Sequence, residues 1–265
     1  MSLPLTWLYA PGDRPEVVRK ALVSGADVVI VDLEDAVAPD RKAYALDATV
    51  DLLSDSHPVP VHVRVHTPHD IPTLAPLPGL RGLRVPKVTH PTDIHRIAEL
   101  APGLPLYPLL ESALSVEHAY ALATAHPAVR GIALGEADLR ADLGVRDDSA
   151  LDWARGRVIV AARAAALPPP AQSVHPDIGD LEALAAGCAR GRTLGFFGRA
   201  AIHPRQLPVI ERAYLPTPEE VDAAREVVAA AGSGAGAQAL PDGRFVDAAV
   251  VAGAHRVLAL AARTA

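Results

Sequence analysis

The chain has 265 residues, half of them hydrophobic and 21% charged, with a formal net charge of −6. So much apolar material, with no long block of one charge sign, excludes wholesale disorder. The negative balance excludes a general polyanion binder, so neither nucleic acid nor an anionic membrane face is the expected partner. The single cysteine, Cys188, allows no intrachain disulfide and no cysteine-based metal cluster, and reads as a small core residue in a reducing compartment.

The opening residues Met1-Ser2-Leu3-Pro4-Leu5-Thr6 lack the basic and apolar segments of an export signal, and no run of about 18 apolar residues follows. A soluble, cytoplasmic protein is expected. Length alone leaves one large domain or two small ones open. The element pattern then predicts strands at Leu5 to Ala10, Val28 to Leu33, Val59 to Val65, Gly82 to Val88, Leu104 to Leu110, Gly131 to Gly135, Ala171 to His175 and Leu194 to Ile202. Between them lie helical signals. Pro15 opens one segment that closes at Gly25, Asp40 caps Arg41 to Leu53, Ser112 caps a segment through Ala125, and Thr217-Pro218-Glu219-Glu220 has capping-box spacing.

Strands separated by helical crossovers pair in parallel, and eight such units fit a TIM-type (β/α)8 barrel better than an open doubly wound sheet. The expected organisation is a barrel over residues 1–231, a glycine-rich linker at 232–238 and a C-terminal helical arm over 239–265 that packs on the barrel or on a neighbouring subunit.

In such a barrel the reactive groups sit at the C-terminal ends of the strands. Asp32, Glu34 and Asp35 follow the second expected strand, Arg64 and His66 the third, Lys87 the fourth, and Glu111 the fifth. Glu136 and Asp138 follow the sixth, His175 and Asp177 the seventh, and His203 the eighth. Asp177 and Asp180 read as helix caps. Carboxylates from neighbouring strands, with few imidazoles and no thiolate, describe a hard oxygen-donor site for Mg²⁺, with Mn²⁺ as the alternative, and Glu111 with Asp138 is the economical pair. Only Lys20, Lys42 and Lys87 are lysines. At the end of a strand Lys87 invites imine chemistry, but the acids around it favour an ion pair with Asp32 or Glu34. Walker A, dinucleotide, nucleophile-elbow and His-Glu-x-x-His patterns are absent.

Several stretches together resemble the citrate lyase beta subunit-like family, related to malyl-CoA and citramalyl-CoA lyases. They are Tyr9-Ala-Pro-Gly-Asp-Arg14-Pro with Lys20, Val31-Asp-Leu-Glu-Asp-Ala-Val37, Val63-Arg64-Val65 and Val85-Pro-Lys-Val88. Glu111-Ser-Ala, Gly135-Glu-Ala-Asp138-Leu, Ala201-Ile-His-Pro204 and Asp242-Gly-Arg-Phe-Val-Asp247 complete the set. The resemblance implies a TIM-type barrel, commonly trimeric, with Mg²⁺ at Glu111 and Asp138. It implies Arg64 on the thioester carbonyl and substrate oxygens, and Asp247 as a general acid/base reaching an adjacent subunit's site. Gly135, Glu136, Ala137 and Asp138 would surround the 2-oxo acid, and Arg14 and Lys20 the phosphates of coenzyme A.

The implied activity is carbon–carbon cleavage of a malyl-, citramalyl- or citryl-type thioester, on coenzyme A or an acyl carrier protein, to an acyl thioester and a 2-oxo acid. Thioester hydrolysis is the variant within the class, and a non-catalytic subunit binding an acyl carrier protein is the alternative outside it. His66, Arg199, Ala171-Gln172-Ser173 and His175 depart from the family pattern and direct attention to the substrate pocket.

Overall fold

The computed structural model describes residues 3–231, 238–239, 243 and 245–262. One compact unit spans Pro4–Glu211, and a second begins at Arg212. The first unit carries seven parallel strands: β1 (Thr6–Pro11), β2 (Val28–Asp32), β3 (Val61–Arg64), β4 (Leu80–Val85), β5 (Leu106–Leu110), β6 (Ala133–Leu134) and β7 (Arg199–Ala201). Their order is β6-β5-β4-β3-β2-β1-β7. From β1 to β6 each strand lies beside its chain neighbour, which excludes the order reversal of a doubly wound sheet. The parallel strands curl into a half-barrel. Every residue of β2 is buried, as expected of a parallel strand covered on both faces.

Helices α1 (Pro15–Leu22), α2 (Lys42–Leu53), α3 (Ile71–Leu74), α4 (Pro91–Leu100), α5 (Ala113–Glu117), α6 (Ala119–Ala123), α7 (Glu136–Leu143), α8 (Asp152–Ala164) and α9 (Leu181–Leu194) fill the crossovers. Local chemistry moves some expected boundaries. Asp40 falls inside a 3-10 turn, Pro39–Arg41, and makes no cap to α2. The segment after Ser112 is capped as expected, with Ser112 Oγ accepting from Ser115 N at 3.2 Å, but it breaks at His118 into α5 and α6. Asp180 caps α9 by accepting from Ala183 N at 2.9 Å.

The expected strand Ala171 to His175 is reduced to one parallel bridge, Gln172 to Arg199. Pro168, Pro169 and Pro170 before it and Pro176 after it have no N–H to donate, so only a short stretch can join a ladder. Gln172 N donates to Gly198 O at 3.0 Å, and Ala200 N to Gln172 O at 2.9 Å. Toward β6, the Ser173 hydroxyl donates to Leu134 O and accepts from Glu136 N at 3.4 Å. Among the described residues a side chain thus stands where a backbone ladder would close the ring.

Helix α10 (Leu207–Tyr214) carries the chain past the unit boundary at Arg212. In the second unit, α11 (Pro218–Ala231) packs with α12 (Ala248–Ala261), and Ala224, Val227, Val246 and Ala254 form a small core. The sequence reading assigned α11 to the barrel; here it groups with the C-terminal helix. The strands β8 (Gln238–Ala239) and β9 (Phe245–Val246) pair antiparallel. Apart from Gln238, the expected linker lies outside the described residues. Among the described residues, no helix is long and apolar enough to cross a membrane.

Candidate active site

Residues from β1 through β7 line one cavity of about 1040 Å³, and Arg64, Glu111, Gly135, Glu136, Ala137 and Asp138 all contribute to its wall. The strand register explains the meeting. Pro11, Asp32, Arg64 and Arg84 are successive partners across β1 to β4, so their side chains share one side of the sheet.

Arg64 is held by acids. Its Nε donates to Asp32 Oδ1 at 2.8 Å and its Nη2 to Asp32 Oδ2 at 2.6 Å, a bidentate fork. Its Nη1 lies 2.9 Å from Glu34 Oε2 and 3.4 Å from Asp35 Oδ2. Burial works against the Arg64 charge, but the hydrogen bonds and field of Asp32 more than reverse this, and its pKa is raised. Lys87 Nζ completes the network, 2.7 Å from Glu34 Oε1. Burial pushes the Glu34 carboxyl up, with Lys87 and Arg64 opposing.

Lys87 also adopts a left-handed backbone, φ 58°, uncommon for a residue with a side chain. That turn aims its N–H at Glu111 Oε2, 3.0 Å away. Glu111 is 7% exposed. Burial first, then the charges of Glu34 and Asp138, outweigh the Lys87 N–H and Arg64 and push its pKa up to about 7. Gly135 is what makes room for it: a Cβ there would sit 2.4 Å from Glu111 Cγ.

Glu111 is therefore a buried carboxylate crowded by negative charge, with Asp138 exposed in the first turn of α7 and lining the same cavity. Two hard oxygen donors are what Mg²⁺ takes from a protein while keeping water or substrate oxygens on its other positions. Among the described residues no group of three or more His, Cys, Asp or Glu side chains comes together for a metal. Lewis-acid chemistry at this pair fits the donor set; imine chemistry at Lys87 does not, because its amine is ion-paired and raised in pKa by Glu34.

The helix α7 follows directly. Gly135 at its N-cap offers no side chain, and among the described residues the N–H groups of Ala137 and Asp138 have no protein acceptor. The Glu136 side chain is engaged elsewhere, accepting from Arg155 Nε at 2.9 Å and Nη2 at 2.6 Å. That pair anchors α7 to α8, and Arg155 also bonds Asp148 and Asp152. Arg14 and Lys20, at the start and end of α1, are exposed and are not among the cavity's lining residues. Asp247 belongs to the second unit, where its Oδ1 accepts from Val250 N at 2.9 Å and caps α12.

Some functional side chains went unnoticed in the sequence. Lys42 donates from Nζ to the carbonyls of Leu33 and Glu34, at 2.9 and 2.6 Å, and so fixes the acidic loop after β2; its recurrence among only three lysines was the available signal. Trp7, Tyr9 and Arg84 line the cavity, and each alternates along its strand with buried apolar residues.

The half-barrel of parallel strands thus brings acids, a guanidinium and a helix N-terminus together at strand ends. The chain belongs to the HpcH/HpaI aldolase/citrate lyase family, which matches residues 5–204. Membership places it among the lyases. It is 35% identical over 234 residues to a (3S)-malyl-CoA thioesterase of Cereibacter sphaeroides, covering 84% of this chain and 81% of that protein. The crystal structure of the protein CitE from Mycobacterium tuberculosis in complex with magnesium, acetoacetate and coenzyme A matches with a TM-score of 0.85 at 32% identity, covering 98% of this chain and 99% of that one. A citrate lyase beta subunit from the same organism, complexed with oxaloacetate and magnesium, matches with a TM-score of 0.69 at 30% identity, covering 81% and 98%.

Proposed function

We propose that this chain is a magnesium-dependent carbon–carbon lyase that cleaves a malyl-, citramalyl- or citryl-type thioester to an acyl thioester and a 2-oxo acid. The observation that carries this reading is the convergence of Arg64, Glu111 and Asp138 on one cavity beside the N-terminus of α7, where among the described residues the N–H groups of Ala137 and Asp138 have no protein acceptor. The finer architecture belongs to the same proposal: a closed (β/α)8 barrel, assembled as a trimer, in which Asp247 serves an adjacent subunit's site.

Glu111 and Asp138 would hold the ion, which supplies a Lewis acid for the substrate's hydroxyl and carboxylate oxygens. In cleavage, the bond between the hydroxyl-bearing carbon and the acyl α-carbon breaks. The hydroxyl proton passes to the Asp247 carboxylate, its carbon becomes the 2-oxo carbon, and the bonding electron pair passes to the thioester as an enolate. Arg64 is fixed by Asp32 through Nε and one Nη2 hydrogen, which leaves its second Nη2 hydrogen for the thioester oxygen as negative charge grows there. The N–H groups of Ala137 and Asp138, at the positive end of α7, receive the acid's carboxylate. Asp247 returns a proton to the acyl α-carbon.

The thioesterase relative supports a second reading, in which the same thioesters lose free coenzyme A and keep their carbon skeleton. Incubation with Mg²⁺ and malyl-, citramalyl- and citryl-CoA separates the two. Lyase action yields an acyl-CoA and a 2-oxo acid in equal amounts, hydrolysis yields free CoA and a hydroxy acid, and release of neither overturns both.

A further inference from the structure

Of the guanidiniums that line the cavity, two stand on partner residues of neighbouring strands, Arg64 of β3 and Arg84 of β4. Their surroundings are opposite. Arg64 is surrounded by Asp32, Glu34 and Asp35, so its charge is already met by protein. Arg84 is 5% exposed, and among the described residues no carboxylate lies within ion-pair distance of it. Instead its guanidinium stacks on Trp7 at 4.3 Å and on Tyr107 at 4.6 Å from the ring centroids, and its Nε is buried with no hydrogen-bond partner.

This arrangement is built rather than incidental. Gly82 leaves space for the ring of Tyr107, since a Cβ there would sit 2.9 Å from Tyr107 Cε2. Buried His62 packs on Tyr107 at 4.7 Å, and burial with the Arg84 charge keeps its pKa well below the usual value. Aromatic faces hold a guanidinium flat and leave its edge of N–H donors free, and that edge matches the two oxygens of a carboxylate. A buried cation with donors to spare and no counter-ion is costly unless an anion arrives to meet it.

We propose that Arg84 is a specificity-determining residue that pairs with a second carboxylate on the 2-oxo acid portion of the substrate. The cavity then selects dicarboxylic 2-oxo acids, and the thioesters built from them, over acids ending in hydrogen or methyl. This inference rests on the lyase reading above and narrows its substrate class to the citryl type.

The test is calorimetric titration in Mg²⁺ with two four-carbon acids that differ only at the far end, freshly dissolved oxaloacetate and 2-oxobutyrate. The wild-type protein is expected to bind oxaloacetate about tenfold tighter or more, the scale of one charge-assisted hydrogen-bonded pair. Arg84→Met should bring the two acids to equal affinity while leaving 2-oxobutyrate unchanged, and Arg84→Lys should keep part of the preference. Equal affinities in the wild type overturn the proposal. So does a preference that survives in Arg84→Met, or an equal loss for both acids in a variant that still melts cooperatively. Should Arg84→Met fail to fold, the wild-type comparison and Arg84→Lys decide, and a preference undiminished in Arg84→Lys counts against the assignment. Binding of neither acid to the wild type brings down the lyase reading and this inference with it. Mg²⁺-dependent 2-oxobutyrate binding that Glu111→Gln abolishes upholds the site whatever Arg84 does.

Discussion

At the level of single residues, Glu111 is the most conspicuous chemical feature, because a glutamate with a pKa near 7 is half protonated where an ordinary one is fully charged. The cause is burial, aided by Glu34 and Asp138, and it has a definite thermodynamic sign. In the metal-free protein the folded state holds a proton that the unfolded chain has released above its value of 4.5, so this group's stabilisation is complete below 4.5 and is lost as pH rises through about 7. Thermal unfolding of the metal-free protein across that window should show this downward contribution, and Glu111→Gln should remove it. Saturating Mg²⁺ should flatten it as well, since a cation at Glu111 favours the charged form; an unchanged slope with Mg²⁺ would count against Glu111 as a ligand.

The residue scale also marks where sequence reading reaches and where it stops. Arg64, Glu111 and Asp138 were legible because each stands at or just after the end of a β-branched or apolar run, and parallel strands in a barrel bring such ends together. Arg84 was not, because a charged residue alternating along a strand looks the same whether it meets solvent or an aromatic pocket. The difference lies in Tyr107, its register partner on the neighbouring β5, and in Trp7 of β1, a strand remote from β4 in the sheet that its curl brings over Arg84. Nor does periodicity show that Lys87 takes a left-handed turn, although the acids around it made an ion pair the expected role.

At the level of elements, the alternation of strand and helix was readable, while their ends were decided by local chemistry. The clearest case is the segment Ala171 to His175, where flanking prolines leave a single bridge and the Ser173 hydroxyl takes over the contact with β6. That one oxygen serves both Leu134 O and Glu136 N, so it ties the segment to the start of α7 and hence to the ground on which Asp138 stands. Ser173→Ala is expected to cost about 1–2 kcal/mol, the range for losing a partly buried hydrogen bond and leaving its partners unmet. Hydrogen exchange should speed up selectively at residues 133–136 and 171–175, and Mg²⁺ affinity should fall with it. Protection lost evenly over the whole unit would instead indicate a general loss of stability.

On the scale of the whole molecule, the question is what the second unit contributes. Its helices α11 and α12 bury a core of their own, a grouping no strand-helix alternation announces because it depends on which apolar faces meet. Asp247 has a structural duty there as the cap of α12, and the proposed catalytic duty can be separated from it. Asparagine caps a helix about as well as aspartate, whereas alanine costs roughly 1 kcal/mol. Asp247→Asn should therefore melt with the parent and lose turnover, while Asp247→Ala loses both. Subunit mixing then asks whose site it serves. With Glu111→Gln and Asp247→Asn refolded together in equal amounts, a site made from two subunits needs Glu111 from one and Asp247 from the next, and random assembly leaves about a quarter of sites intact. Activity near that fraction from two inactive parents is the expected outcome when the mixture is incubated with Mg²⁺ and the thioesters. A mixture as inactive as either variant alone would show that no site is shared between subunits.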